Sequence, residues 1–227
     1  MARRVLTGEK LEKELERLSL MWEFERQYED CAFICGIDEA GRGPLAGPVV
    51  TACVVLPEDF SVLGVDDSKK LSEKKREQLY GQIKEHAVAW GIGMRDNQII
   101  DKINILEATK EAMKDAIIET DLMLAQKTGG HIEHILIDAL TLKNVEIPQT
   151  GLVKGDSKSL SIAAASILAK VTRDRMMMEY HQEYPGYAFD SNKGYGTKAH
   201  YEGIFANGIT PIHRQSFLKN LQGKKKG

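Results

Sequence analysis

Four acidic residues stand where the chain could do chemistry. Asp38 and Glu39 close an apolar run, Ala32–Ile37, and the chain then breaks at once into Ala40-Gly41-Arg42-Gly43-Pro44. Asp138 closes a second apolar run, His134–Ile137, and Asp156 lies in Gly155-Asp156-Ser157-Lys158 ahead of a helical stretch. Charges are rarely buried unless they are paired or bind metal. Carboxylates drawn from three separated segments, without thiolates or a histidine cluster beside them, are hard oxygen donors that suit Mg²⁺ or Mn²⁺ rather than zinc or copper. Two such ions about 3.5–4 Å apart can activate a water and stabilise the leaving oxygen in phosphodiester hydrolysis. No Ser-His-Asp or Cys-His constellation competes. Gly41 and Gly43 flank Arg42, so backbone amides can approach a ligand closely next to a guanidinium. The plainer alternatives are a strand-end acid paired with Arg42, and Asp156 as a helix cap worth about 1 kcal/mol.

These residues need elements to position them. Residues 32–38 and 134–138 read as buried strands bounded by breakers, and in a parallel α/β sheet strand ends of one polarity gather on one edge, where ligands bind. Asp138 therefore lies near Asp38 if the two strands are neighbours. Further strands are expected at 47–56 and 88–94. Helices are expected at 9–29, with a stripe of Leu11, Leu15, Leu18, Trp22 and Phe24, and at 73–88 behind an Ser72 N-cap. A short helix, a break near Lys102-Ile103-Asn104 and a long helix are expected over 97–126, ended by Gly129-Gly130. Residues 144–155 are expected to form a hairpin turning near Pro148–Gly151. A helix over 160–183 carries small residues, Ser161, Ala163, Ala164, Ala165, Ser166 and Ala169, that let it pack close to a sheet; Asp174, further along it, reads as structural and paired with an arginine. Residues 186–197 read as loop, 197–206 as a last helix and 211–218 as a basic, apolar tail.

Bulk properties bound the class. A chain of 227 residues can bury roughly 70–75% of its unfolded surface and needs no covalent staples. Three cysteines argue against a disulfide framework. Met-Ala-Arg-Arg has no apolar run behind it and nothing approaches the ~20 apolar residues of a membrane span, so a cytoplasmic protein without membrane contact is expected. The net charge of −2 hides an asymmetry: residues 9–30 hold eight acids against four bases, and residues 193–227 hold seven bases against one acid. A basic patch on a near-neutral protein can dock a polyanion. Three other motifs lead nowhere. Ser72-Glu73-Lys74-Lys75 lacks the companion motifs of a Ser-x-x-Lys nucleophile, His131 and His134 suit neither strand nor helix spacing for zinc, and Asp156 stands where a P-loop would need lysine. One continuous domain is expected, with 1–30 as an amphipathic helix packed on the core, 31–192 as the core and 193–227 as a helical lobe and basic tail.

The stretch Gly36-Ile37-Asp38-Glu39-Ala40-Gly41-Arg42-Gly43-Pro44-Leu45-Ala46-Gly47-Pro48 resembles the signature of the bacterial ribonuclease HII family. Asp67-Ser68-Lys69-Lys70-Leu71, Ile137-Asp138-Ala139, Gly155-Asp156-Ser157-Lys158 and Lys193-Gly194-Tyr195-Gly196-Thr197 resemble the rest of its pattern, in order, over about residues 15–217. The resemblance implies an α/β, ribonuclease H-like fold: a five-stranded mixed sheet flanked by helices, here with a helical C-terminal extension. It implies a metal-dependent endonuclease that hydrolyses RNA in RNA–DNA hybrids and nicks 5′ of single ribonucleotides in duplex DNA, leaving 3′-hydroxyl and 5′-phosphate ends. Asp38, Glu39 and Asp138 would be metal ligands, with Asp156 a fourth catalytic acid. Gly41, Arg42 and Gly43 would read the ribose 2′-hydroxyl and its phosphate, Lys69 and Lys70 would contact phosphate, and Tyr195 would stack on the next deoxynucleotide's sugar. A monomer is expected, and recruitment by a sliding clamp stays open. Two other readings stand beside this one: another metal-dependent nuclease of the same fold class, and a non-catalytic nucleic-acid-binding module whose acids hold a structural metal.

Overall fold

The structure, a computed structural model, describes residues 7–219; the Lys224–Lys226 tail lies outside them. A five-stranded sheet forms the centre, built from β1 (Ile34–Ala40), β2 (Val49–Val55), β3 (Ala89–Arg95), β4 (His134–Asp138) and β5 (Gln149–Leu152), in the order β3-β2-β1-β4-β5. β1 and β3 both run antiparallel to β2, whereas β1, β4 and β5 run parallel to one another. The helices are α1 (Glu9–Met21), α2 (Glu73–His86), α3 (Asn97–Ile103), α4 (Ile105–Thr128), α5 (Leu160–Glu183), the single turn α6 (Phe189–Asn192) and α7 (Lys198–Asn207).

The sheet is covered on both faces, which is why its central strands read as continuous apolar runs rather than alternating ones. All seven residues of β2 are buried. Cys35, Ile37, Cys53, Val55, Ile135 and Ile137 pack with Met113, Ala116 and Leu124 of α4. Ala52 and Val54, on the opposite face, pack with the Ala163–Ala165 run of α5 and with Leu79 and Ile83 of α2. The small-residue helix lies as close as the sequence demanded: a Cβ added to Gly36 would stand 2.2 Å from the Ile162 nitrogen. Only glycine at that point of β1 admits α5 to the sheet.

Three expectations are corrected. The helix expected over 9–29 stops at Met21, and Leu15, counted in its apolar stripe, is exposed. The chain turns there because Glu25 is drawn inward: its Oε1 accepts hydrogen bonds from Ser159 Oγ at 2.6 Å, Ser161 Oγ at 2.7 Å and the Ser161 amide at 3.0 Å. Glu25 thus satisfies the N-terminal end of α5, where anions are favoured. The hairpin expected over 144–155 is absent; the residues assigned to its turn are largely β5 itself, an edge strand parallel to β4. The connection returns without pairing to itself because Gln149 pins it, its amide oxygen accepting from the Leu142 amide at 2.7 Å and its amide nitrogen donating to the Leu142 carbonyl at 2.9 Å. The loop expected over 186–197 contains α6.

Candidate active site

Parallel pairing brings the two strand-end acids together. Ile37 pairs with Ile137 across β1 and β4, so Asp38 and Asp138 are one step further on, level with each other and on the face that α5 covers. Asp138 pairs in turn with Leu152 of β5, and four residues later the chain reaches Asp156, in the turn before α5. One carboxylate oxygen from each of Asp38, Asp138 and Asp156 lies within 4.8 Å of the others. Asp138 is held by the Gly155 amide, which donates to its Oδ1 at 2.8 Å, and Asp38 Oδ1 accepts from the Glu39 amide at 2.7 Å.

Glu39 is not one of the three. Its carboxylate nevertheless lies close enough to feel the charges of Asp138 and Lys69 and to raise Asp38; Arg42 lies 3.5 Å from its Oε1, and its Oε2 is buried without a hydrogen-bond partner among the described residues. Burial, then the Glu39 charge, pushes the Asp38 carboxyl well above the usual carboxylate range; burial also raises Glu39, against the pull of Arg42. Buried acids crowded in this way, one with an orphaned oxygen, fit a hard divalent cation, which would relieve their repulsion.

Of the two lysines, only Lys69 reaches the cluster, its Nζ 3.1 Å from Asp156 Oδ2; Lys70 pairs with Asp66 at the same distance. The turn carrying both is firmly held. Asp67 accepts from the Lys69 amide at 3.0 Å, Ser166 of α5 donates to Ser68 Oγ at 2.7 Å, and Arg76 of α2 donates to the Ser68 carbonyl at 2.9 Å. Arg76 and Lys170 both pair with Asp174, at 3.8 and 2.6 Å, which gives that acid its structural place.

The Gly41–Pro48 loop rests on two buried arginines that motif reading passed over. Arg173 of α5 donates to the carbonyls of Pro48, Lys193 and Ala46 at 2.9, 2.9 and 3.1 Å. Arg214 donates to those of Gly47, Arg42 and Gly41 at 3.0, 3.0 and 2.6 Å. Burial lowers both guanidiniums, Arg173 to about 10 and Arg214 to about 9, so both remain charged at neutral pH. Gly41 has φ +96°, and a Cβ there would stand 2.1 Å from Arg173 Nε, so glycine at 41 serves the fold. Gly43 differs: it is exposed, and an added Cβ would meet only Tyr195, at 3.5 Å. Once Arg214 has taken the carbonyls of residues 41 and 42, the amides of Arg42 and Gly43 are left with no acceptor among the described residues. Tyr195, half exposed, faces Gly43 from the loop between α6 and α7. The signal for the arginines was weak: an Arg inside an apolar helix and an Arg in the C-terminal tail, each of which also reads as a surface charge.

An acid triad at the ends of adjacent parallel strands, under a mixed five-stranded sheet of this order, defines a metal-dependent nuclease of the ribonuclease H-like class. The family model of ribonuclease HII matches residues 35–220, and the chain belongs to that family. The ribonuclease HII of Enterococcus faecalis is 57% identical over 197 residues, covering 84% of this chain and 74% of its own. That of Lachnoclostridium phytofermentans is 53% identical over 213 residues, covering 94% and 81%. Among solved structures, ribonuclease H2 of Pyrococcus horikoshii superposes with a TM-score of 0.67 at 25% identity, over 86% of this chain and all of that one. The Archaeoglobus fulgidus ribonuclease HII, solved in complex with PCNA, gives 0.61 at 25% identity, over 80% and 93%. Bst ribonuclease HIII, solved with Mn²⁺, gives 0.56 at 21% identity over 82% and 64%, a likeness of fold. The chain is accordingly a metal-dependent endoribonuclease that acts on RNA–DNA substrates. No helix among the described residues is long and apolar enough to cross a membrane.

Proposed function

We propose that this endonuclease cuts the RNA strand of hybrids and nicks 5′ of a lone ribonucleotide in duplex DNA, as in ribonucleotide excision repair in the cytoplasm. The observation that carries the reading is the juxtaposition of the triad Asp38, Asp138 and Asp156 with the open Gly43–Tyr195 pair. The three aspartates, joined by Glu39 through its unpartnered oxygen, would hold Mg²⁺ or Mn²⁺, two ions in the working complex. Such ions, when bound, activate water and stabilise the departing 3′ oxygen. The Mn²⁺ held by Bst ribonuclease HIII accords with that donor set.

The chain's own groups do the reading. The free amides of Arg42 and Gly43 are donors for a phosphate or a ribose hydroxyl, and the missing side chain at 43 leaves room for the sugar. The half-exposed ring of Tyr195 would stack on the sugar of the next deoxynucleotide, so that both sides of the RNA–DNA junction are tested. Lys69 and Lys70 would meet phosphates as point charges. Water attacks phosphorus and the P–O3′ bond breaks, giving 3′-hydroxyl and 5′-phosphate ends. The protein would act as a monomer, and a sliding clamp comparable to the PCNA held by the archaeal relative would be its protein partner. Cleavage of end-labelled duplexes, with and without chelator, tests the reading. Metal-dependent nicking at the ribonucleotide supports it, whereas binding without cleavage would favour the binding-module alternative.

A further inference from the structure

Behind Tyr195 lies a pair of histidines that the chemistry above leaves unused. His200 of α7 and His213 are both buried, and their Nε2 atoms are 3.0 Å apart. Their outer nitrogens decide which atoms carry protons. The Thr210 amide lies 2.9 Å from His213 Nδ1 and can only donate, so that nitrogen is bare and the ring's proton is on Nε2. His200 Nδ1 lies 2.9 Å from the Tyr195 carbonyl, which can only accept, so this nitrogen bears the proton and His200 Nε2 is bare. A single hydrogen then fits between the rings, donated by His213 to His200. Every group is satisfied with both rings neutral. Burial lowers both histidines, His213 to about 4, as neutral rings require.

We propose that His200 and His213 are positioning residues, a one-way hydrogen-bond chain from Thr210 to the Tyr195 carbonyl that sets the tyrosine against Gly43. The inference rests on the role given to Tyr195 above. The same segment anchors the other side of the gap, because Arg214, the next residue, holds the carbonyls of Gly41 and Arg42. Consecutive residues thus fix both halves of the junction reader. Among the described residues the Tyr195 backbone is otherwise tied only locally, its amide to the Asn192 carbonyl at 2.9 Å and its carbonyl to the Thr197 amide at 2.8 Å. Phe189, with its ring centre 5.1 Å from that of His200, and Tyr187, 5.4 Å from that of His213, enclose the pair. Phenylalanines could fill that space equally well. What histidines add is direction.

The test uses the full chain. His200→Leu removes the donor to Tyr195, while His200→Asn places an amide N–H near the Nδ1 position and should restore it. With a misplaced ring, single-turnover nicking at a lone ribonucleotide should fall about tenfold or more relative to cleavage of a long hybrid. His200→Asn should recover most of that loss, and His200→Leu should add nothing to Tyr195→Ala. Equal losses on both substrates, or losses that add to those of Tyr195→Ala, overturn the proposal. If Tyr195→Ala itself leaves junction nicking intact, the role of Tyr195 is wrong, and the tautomers still decide the chain. In ¹⁵N-histidine spectra of the wild-type protein at pH 7.5, His200 should be protonated at Nδ1 and His213 at Nε2, with both neutral. A cationic ring, or His200 protonated at Nε2, overturns the hydrogen-bond chain whether or not the variants fold.

Discussion

Replacing Asp38 with asparagine should abolish cleavage and, without metal, make the protein more stable. Unit charges no more than 4.8 Å apart repel by about 3.5 kcal/mol or more at an effective dielectric of about 20. The substitution removes two of the three repulsions in the triad, about 7 kcal/mol on that arithmetic if every carboxylate were ionised. The wild-type protein escapes most of it by taking up a proton on a buried carboxyl, so a gain of about 1–3 kcal/mol is expected at pH 7.5. For a chain of this size that is about 3–10 °C in Tm. Asparagine keeps the oxygen that accepts from the Glu39 amide, so shape is preserved. The sign with pH follows from the raised carboxyl of Asp38. A raised acid stabilises the fold fully below its unfolded value and loses that contribution as pH rises through the folded one. The advantage of the variant should therefore vanish near pH 3.5 and grow toward neutrality. Urea and thermal unfolding in chelator over that range measure it. Saturating Mg²⁺ should reverse the order, since only the wild type gains the full binding free energy, about 2.7 kcal/mol at a hundredfold excess over Kd. A variant that is less stable than wild type in chelator at pH 7.5 would refute the crowded-triad account.

Gly43→Val should fold normally, because an added Cβ meets only the Tyr195 ring at an ordinary distance, yet lose junction nicking at least a hundredfold by filling the gap where the sugar must enter; unfolding curves and single-turnover rates separate the two effects. Arg214→Met leaves three loop carbonyls without their charged donor and should cost about 3 kcal/mol or more in urea unfolding. The lowered histidines titrate with the opposite sign to Asp38: the unfolded chain binds more protons, so their contribution is full above pH 6.5 and declines as pH falls, that of His213 being lost as pH passes through about 4. Unfolding in the Asp38→Asn background, where the contribution of Asp38 is gone, should show stability declining across that window.

Much of this site was legible in the sequence because its acids lie at ends of apolar runs. Apolar runs that stop in Asp mark the edge of a parallel sheet, and the neighbouring pairing of β1 and β4 did the rest. Asp156 completed the triad through the length of the turn after β5, which no residue pattern announces, while Glu39 stands beside the triad with its Oε1 drawn to Arg42. The supports were hidden. Arg173, Arg214, His200 and His213 act by donating to backbone carbonyls or by accepting from backbone amides, and such contacts leave no pattern of residue types. Glu25 was invisible for the same reason: within a helical-looking acidic stretch, nothing distinguishes the one carboxylate that turns inward to cap a distant helix. The missed hairpin has a different cause, since Pro148–Gly151 carries turn residues and it is the Gln149 contact with Leu142 that straightens the segment into an edge strand.

The most direct measurement is a cleavage-site map on two matched duplexes: DNA with one ribonucleotide, and the same duplex with 2′-deoxy at that position, which is all DNA. A site built to hydrogen-bond a hydroxyl can reject its absence by ~10⁴ or more, because its own donors are left unpaired. The account predicts a single nick 5′ of the ribonucleotide, with 3′-hydroxyl and 5′-phosphate ends, that disappears in chelator and in the Asp138→Asn protein, and it predicts that the all-DNA duplex stays intact. Cutting that survives the return to 2′-deoxy, or that Asp138→Asn carries out within about tenfold of wild type, a barrier change of about 1.4 kcal/mol or less, would contradict it.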